Sequence, residues 1–160
     1  MDDLLSEFVF KQACHGVRRR EDEKVRDMVS RWMKLVGNAL QDFMGSSATA
    51  VIMFSIGKFQ GKFICDHISH LKLSNKDLVS NALKLIESVG VCKVDKAIIN
   101  DESGIIELTN NLDSDSSKPV GGFYLKGLVV TIVEQIFGRD AVTRTDVDEL
   151  KVVVEWKVRS

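Results

Sequence analysis

The sequence has little proline, little cysteine and no surplus of charge of either sign. One proline and 44% hydrophobic residues among 160 positions are typical of a folded domain rather than of a disordered chain. Three cysteines are too few, and odd in number, to imply the disulfide framework of a secreted domain. The formal net charge is −1, so the chain lacks the basic excess with which a dedicated nucleic-acid binder neutralises phosphate.

Long apolar runs and targeting signals are also missing. No stretch approaches the roughly 20 apolar residues that cross a bilayer, and the acidic start Met1-Asp2-Asp3 differs from the basic beginning of a secretory signal. We therefore expect a cytoplasmic protein with no membrane span and no nucleic-acid partner. The length predicts a single domain over 1–160, with an N-terminal segment (1–24), a helical part (25–89) and a part with strands (90–160).

The residues before position 90 follow the helical period of 3.6. A short helix is predicted over Leu4–Cys14, and a helix of about five turns is predicted from Val25 to Phe43. The apolar positions of this long helix form one wide stripe: Val25, Met28, Val29, Trp32, Met33, Val36, Ala39, Leu40 and Phe43.

A second long helix is predicted after a glycine stop. Gly45 ends the first long helix, and Ser47 is expected to cap the next one, which runs from about Ala48 to His67. The residues expected to face the core on this helix are Val51, Ile52, Ile56, Phe59 and Phe63.

A third helix and two hairpins complete the pattern. Ser74 with Asp77 three positions later predicts a helix start, and Gly90 ends that helix. The period then changes to 2, which predicts strands. The remaining predicted elements are strands over 91–99 and 105–109, a polar loop over 110–119, an apolar helix around 125–136, and strands over 141–147 and 150–158. This order predicts an α+β fold in which helices cover one face of a twisted antiparallel sheet of about four strands.

The histidines and cysteines do not form a motif that would carry chemistry. Cys65 and His67 are two positions apart and so point to nearly opposite sides of a helix. Only His67 and His70 share a face, and two ligands do not complete a zinc site. No nucleophile elbow and no phosphate-binding glycine loop is present. We therefore predict no catalytic residue, no metal site and no cofactor, leaving open an adventitious metal at His67, His70 and Cys65.

Glycines at helical spacing carry a resemblance to a known family. Gly57 and Gly61 share one face of the second long helix, and Gly122 and Gly127 repeat the device on the last helix. A glycine there removes side-chain bulk and allows close packing, although it costs about 1 kcal/mol relative to alanine. Together with the terminal hairpin, these segments make the chain resemble the vinyl-4-reductase domain family, also described as hydrocarbon-binding proteins. That family shares its fold with the small subunits of the TRAPP vesicle-tethering complex.

The resemblance covers Val25 to Val158 and implies a function. Several family members are domains of regulators, and others stand alone in archaea. Their apolar chamber, between helices and sheet, receives a small hydrophobic or acyl ligand. By helix or strand face and by aromatic size, the residues expected to line it here are Met53, Phe54, Phe59, Phe63, Phe123, Leu125, Val129 and Trp156. Many members bind zinc through paired cysteines in the terminal hairpin, but this hairpin has no cysteine, so the zinc site is not carried over.

Three functions remain open from the sequence. The leading hypothesis is a non-enzymatic module, sensory or regulatory, that binds a hydrocarbon or acyl ligand. The second is a TRAPP-like structural adaptor whose core is filled by its own side chains. The third is an enzyme that reduces a porphyrin vinyl group, which the absence of a nicotinamide or flavin motif disfavours.

The long helix over Val25–Phe43 also predicts a homodimer. Met28 and Leu35 extend its apolar arc beyond what a surface helix needs, and monomers rarely expose a contiguous apolar patch. We expect a second copy to cover this arc, since two-fold pairing is the commonest closed symmetry. The expected contact residues are Met28, Trp32, Leu35 and Val36. In the alternative, the N-terminal segment around Leu4, Leu5, Phe8 and Phe10 folds back over the stripe.

Overall fold

The computed structural model describes residues 19–111, 121–138, 141–147 and 150–158. The elements in these ranges are α1 (Arg19–Met44), α2 (Ser46–Ile68), α3 (Asn75–Ser88), β1 (Cys92–Ile99), β2 (Ser103–Asn110), α4 (Gly121–Phe137), β3 (Ala141–Val147) and β4 (Lys151–Val158). The predicted α+β fold is confirmed. The predicted helix over Leu4–Cys14 lies outside the described residues, as does most of the predicted polar loop.

Glycines with positive φ follow three of the helices, and Gly45 and Gly90 do so at the predicted places. Gly45, with φ of 79°, is the single non-helical residue between α1 and α2. Its carbonyl oxygen accepts hydrogen bonds from the backbone N–H and the hydroxyl of Thr49. The prediction that Ser47 caps α2 is wrong, because the chain turns within one residue and α2 already begins at Ser46 without a side-chain cap. Gly90 and Gly138 follow α3 and α4.

The predicted start of α3 is confirmed. The Ser74 hydroxyl accepts the backbone N–H of Asp77 at 3.2 Å and donates to the Asp77 carboxylate at 2.6 Å. Near the other end of this helix, the Glu87 carboxylate accepts the backbone N–H of Val94 at 3.0 Å. The helix is therefore fixed at its start by a cap and tied near its end to strand β1.

The four strands form one antiparallel sheet in the order β1-β2-β4-β3. The first hairpin contains a bulge between Val94 and Lys96. Ile106 lies opposite Val154 in the central pair of strands, and both side chains are buried. Alternate residues on these strands thus face the core, as the two-residue period of a strand requires.

Helix α4 occupies the centre of the molecule. It contacts strands of the sheet on one side and α2 on the other, while α3 packs beside it on β1. Its buried apolar residues are Tyr124, Leu125, Leu128, Val129, Val130, Ile132 and Val133. This extensive burial explains why α4 is mostly apolar, with Lys126 and Glu134 as its only charged residues. No helix in the described ranges, α4 included, is long and apolar enough to cross a membrane.

Candidate functional site

Glycines bring the backbones of α2 and α4 into direct contact. A Cβ atom added at Gly61 would lie 2.6 Å from the carbonyl oxygen of Leu128. Added at Gly57 or Gly127, it would overlap a carbonyl oxygen of the opposite helix. The close approach expected from the glycine spacing is therefore present at these three residues, here called the glycine contact. Gly122 is buried in the first turn of α4.

The glycine contact decides which side of α2 faces the core. The buried residues of this helix are Thr49, Met53, Gly57, Gly61, Cys65 and Ile68. The face predicted to be inward is therefore largely wrong: Val51, Phe59 and Phe63 are exposed, and Ile52 and Ile56 are half-buried. The helix has two apolar faces, and the one that carries glycine packs closer than large side chains allow.

The eight residues predicted to line a chamber are distributed over the interior and the surface. Met53, Leu125, Val129 and Trp156 are buried in the core, and Phe54 is half-buried. Phe59, Phe63 and Phe123 are exposed, so their assignment to an internal lining is wrong. The physical reason is the same for Phe59 and Phe63, because the glycine contact turns these rings away from α4.

The outer face of α2 carries an apolar row, here called the α2 stripe. Its members are the half-buried Ile52 and Ile56 and the exposed Phe59 and Phe63, and Ile56 also packs against the core. The side chain of Phe59 is 76% exposed and that of Phe63 is 56% exposed. The Phe63 ring lies against the ring of His67, with centroids 4.1 Å apart. Large aromatic side chains at such exposure are uncommon on a surface that faces only water.

Helix α1 carries a second apolar row, here called the α1 stripe. Its members are Met28, Trp32, Leu35 and Ala39, all of them exposed. Met28 and Trp32 are each 64% exposed and Leu35 is 67% exposed. Three of the four residues predicted to form a dimer contact thus lie on the outer face of α1, and the fourth, Val36, is half-buried beside them.

The opposite side of α1 packs against the rest of the molecule. Gly37 and Gln41 are buried on that side, and the half-buried Met33 and Leu40 pack against the core. The wide apolar arc read from the sequence therefore divides into an inner part, which packs on the molecule, and the outer α1 stripe.

The buried ionisable groups are held in their neutral forms. Burial raises the pKa of the Cys92 thiol to about 12, and the carboxylates of Glu87 and Asp95 add to the shift. Burial, followed by the Asp66 carboxylate, raises the pKa of the Cys65 thiol to about 11. A thiol is a weak nucleophile when its pKa lies this high, so neither Cys65 nor Cys92 is present as a reactive thiolate near neutral pH.

Tyr124 is the third buried titratable group. Its hydroxyl donates a hydrogen bond to the side-chain oxygen of Gln60, which links α4 to α2 beside the glycine contact. Burial raises the pKa of the Tyr124 hydroxyl, and the nearby Cys92 contributes in the same direction. The side-chain atoms Gln41 Oε1, Thr131 Oγ1 and Trp156 Nε1 are buried without a hydrogen-bond partner.

The residues considered for adventitious metal binding do not converge. His67 and His70 are exposed at the end of α2, whereas Cys65 is buried toward the core. In the part of the chain that the structure describes, no three side chains of histidine, cysteine, aspartate or glutamate are grouped to hold a metal ion.

Comparison with known proteins adds no family assignment to this geometry. No protein-family model matches the sequence, and no curated protein matches it.

Proposed function

We propose that the chain is a non-enzymatic interaction protein that assembles through the outer face of α1, with a second copy of itself as the first partner. The exposure of the α1 stripe carries this proposal. Burying apolar surface is favourable by about 25 cal/mol per Å², and Met28, Trp32 and Leu35 leave most of their side-chain surface in water. A two-fold contact of ordinary size buries roughly 800 Å² per partner.

The packing of the interior favours the adaptor over the ligand-binding module. The buried residues assigned to the chamber pack in one continuous core, and the glycine contact brings α2 and α4 together without intervening side chains. Three aromatic side chains assigned to the chamber lie on the surface instead. Hydrocarbon binding, which the family resemblance implies, stays a prediction beside the adaptor function.

The buried thiols support a role without covalent chemistry. Cys65 and Cys92 have raised pKa values, and an enzyme nucleophile or proton donor usually has a pKa tuned toward neutral pH. An interaction protein does not require a residue with a pKa near neutral. The continuous core and the glycine contact, rather than the thiols, favour the TRAPP-like adaptor over the ligand-binding module.

Sedimentation at micromolar concentration tests the proposal. We expect twice the chain mass of 17.9 kDa for the unaltered protein and a single chain for Trp32→Glu, because the glutamate places a charge in the centre of the contact. Asn38→Glu, an exposed position on another side of the same helix, introduces the same charge and should leave the dimer intact. If the unaltered protein sediments with the mass of one chain, the proposed dimer is refuted.

Native mass spectrometry of the same samples separates the two functions. An adaptor with a filled core should show the mass of the bare polypeptide chains. A stoichiometric adduct of lipid size on the gently purified protein would instead favour the ligand-binding module.

A further inference from the structure

A single residue reverses the chain between α1 and α2. Gly45 has φ of 79° and ψ of 167°, a backbone conformation that is essentially restricted to glycine. Its N–H donates to the carbonyl oxygen of Gln41, and its own carbonyl oxygen accepts the N–H of Thr49. Gly45 would make the same two backbone hydrogen bonds inside a continuous helix. The φ and ψ of one residue therefore keep α1 and α2 from forming one long helix.

Helix α1 is attached to its own chain through a narrow inner face. None of its described apolar side chains is fully buried, although Met33 and Leu40 pack against the core at partial exposure. Gln41 is buried on this face, but its side-chain oxygen Oε1 has no hydrogen-bond partner, which weakens the attachment. The helix can therefore leave its place without opening the core that the other helices build with the sheet.

We infer that α1 is an arm hinged at Gly45, and that it packs on a second copy of the chain when the backbone of Gly45 becomes helical. In this exchanged dimer one continuous helix runs from Arg19 to Ile68, and the inner face of α1 makes its contacts on the other copy. Further hydrogen bonds then form at the corner, from the N–H groups of residues 46–48 to the carbonyl oxygens of residues 42–44. The α1 stripe takes no part in the exchange, so the inference does not rest on the proposed function.

Glycine at position 45 keeps the arm closed. It adopts the reversed conformation without the strain that other residues have there, and it makes a continuous helix less stable than alanine would. The closed arm also meets its own chain at a high effective concentration, whereas exchange has to bring two copies together. The unaltered chain therefore holds α1 against itself, and a change at this one position is sufficient to exchange it.

Gly45→Ala reverses both of these preferences. A Cβ atom added at Gly45 has no other atom within 4 Å, so the substitution changes the backbone preference without a steric clash. The strain at the corner and the helix propensity of alanine together favour the open arm by a factor of about 30 in each chain. The association of two chains should therefore strengthen by about a thousandfold.

Sedimentation in a Trp32→Glu background tests the exchange apart from the α1 stripe. Trp32→Glu should sediment as a single chain, and Trp32→Glu combined with Gly45→Ala should sediment with the mass of two chains. Gly138→Ala in the same background is the matched control. Gly138 also has a positive φ, 91°, and open space at its Cβ position, but the next element is strand β3 rather than a helix. This control should remain a single chain.

The shape of the dimer separates exchange from side-by-side pairing. A helix from Arg19 to Ile68 is about 75 Å long at 1.5 Å per residue, so small-angle X-ray scattering should give a maximum dimension of at least about 75 Å. Native mass spectrometry adds a second readout. Isotope-labelled and unlabelled dimers should form mixed dimers only after unfolding and refolding, because each arm has to leave the other copy.

Each of the remaining outcomes counts against one proposal. A double variant that sediments as one chain, a dimer shorter than the continuous helix, or a dimer of the Gly138→Ala control overturns the exchange. Loss of the helical signal in far-ultraviolet circular dichroism also overturns it, because the exchanged dimer keeps α1 and α2 helical. If Trp32→Glu alone sediments as two chains, the proposed function falls, and the length of the Gly45→Ala assembly still decides the exchange.

Discussion

At the scale of single residues, the three glycines between α2 and α4 have the largest structural effect. Gly57→Ala adds a methyl group where the carbonyl oxygen of Tyr124 lies, and a backbone atom cannot turn aside as a side-chain tip does. Overpacking of this kind costs about 3 kcal/mol, which outweighs the roughly 1 kcal/mol that alanine gains in a helix.

Denaturant unfolding of Gly57→Ala measures this cost. We expect a loss of about 3 kcal/mol in the free energy of unfolding, whereas Ser55→Ala, an exposed change on the same helix, should stay close to the unaltered protein. A Gly57→Ala protein as stable as that control would show that the two helices are able to move apart at little cost.

The buried thiol of Cys92 predicts a dependence of stability on pH. Its pKa rises from the ordinary value of 9.0 to about 12 on folding, so above pH 9 the unfolded chain releases a proton that the folded chain retains. Stability should therefore fall as the pH rises from 9 toward 12, by up to about 1.4 kcal/mol per pH unit for this group. Urea unfolding at pH 8 and pH 10 measures this effect. The free energy of unfolding should decrease less between these pH values for Cys92→Ala than for the unaltered protein. Equal decreases in the two proteins would contradict the raised pKa of Cys92.

At the scale of elements, the start of α3 depends on one side chain. Ser74→Ala removes the acceptor of the Asp77 N–H and should lower stability by about 1 kcal/mol, the usual loss for an N-cap. Ser80→Ala is the matched control, because its hydroxyl bonds to the Lys76 carbonyl inside the helix and caps no free N–H. If the two variants have the same midpoint temperature of thermal unfolding, the capping role of Ser74 is contradicted.

The elements themselves could be predicted from the sequence, but the orientation of α2 could not. Periodicity and end signals such as Gly45, Ser74 and Gly90 act within a few positions of the chain, so they can be read locally. Which apolar face of α2 is buried depends on a helix that lies far along the chain. The signal was available in Gly57 and Gly61, since two glycines on one face indicate a close backbone contact and turn Phe59 outward.

The outer face of α1 shows the complementary case. Met28 and Leu35 were predicted to extend the apolar arc of this helix beyond what a surface helix needs, and both are exposed. This prediction needed only the width of the apolar arc, because a helix has a fixed angle per residue. Which surface covers the arc cannot be read from the sequence of α1, because it depends on residues outside that helix.

At the scale of the whole molecule, apolar stripes predict how assembly responds to salt. The proposed contact buries Trp32 and Leu35 rather than ion pairs, and salt screens charges without weakening apolar burial. We therefore expect the same dimer mass at about 0.05 M and about 1 M NaCl, a range over which the Debye length falls severalfold. Dissociation at the higher concentration would indicate that charged side chains hold the copies together, and Trp32→Glu should be monomeric in both.

The bulge in the first hairpin has a consequence for how the protein behaves when it is concentrated. Strand β1 is an edge of the sheet, and an unpaired strand edge is a template on which other chains add strands and aggregate. The irregularity between Val94 and Lys96 interrupts that template. Lys93 and Lys96 form ion pairs with Asp95 and Glu107, so strongly hydrated charged side chains line this edge. Growth into fibrils is thereby disfavoured at this edge, so a concentrated solution of the protein is expected to contain the proposed α1-mediated dimer rather than stacked sheets.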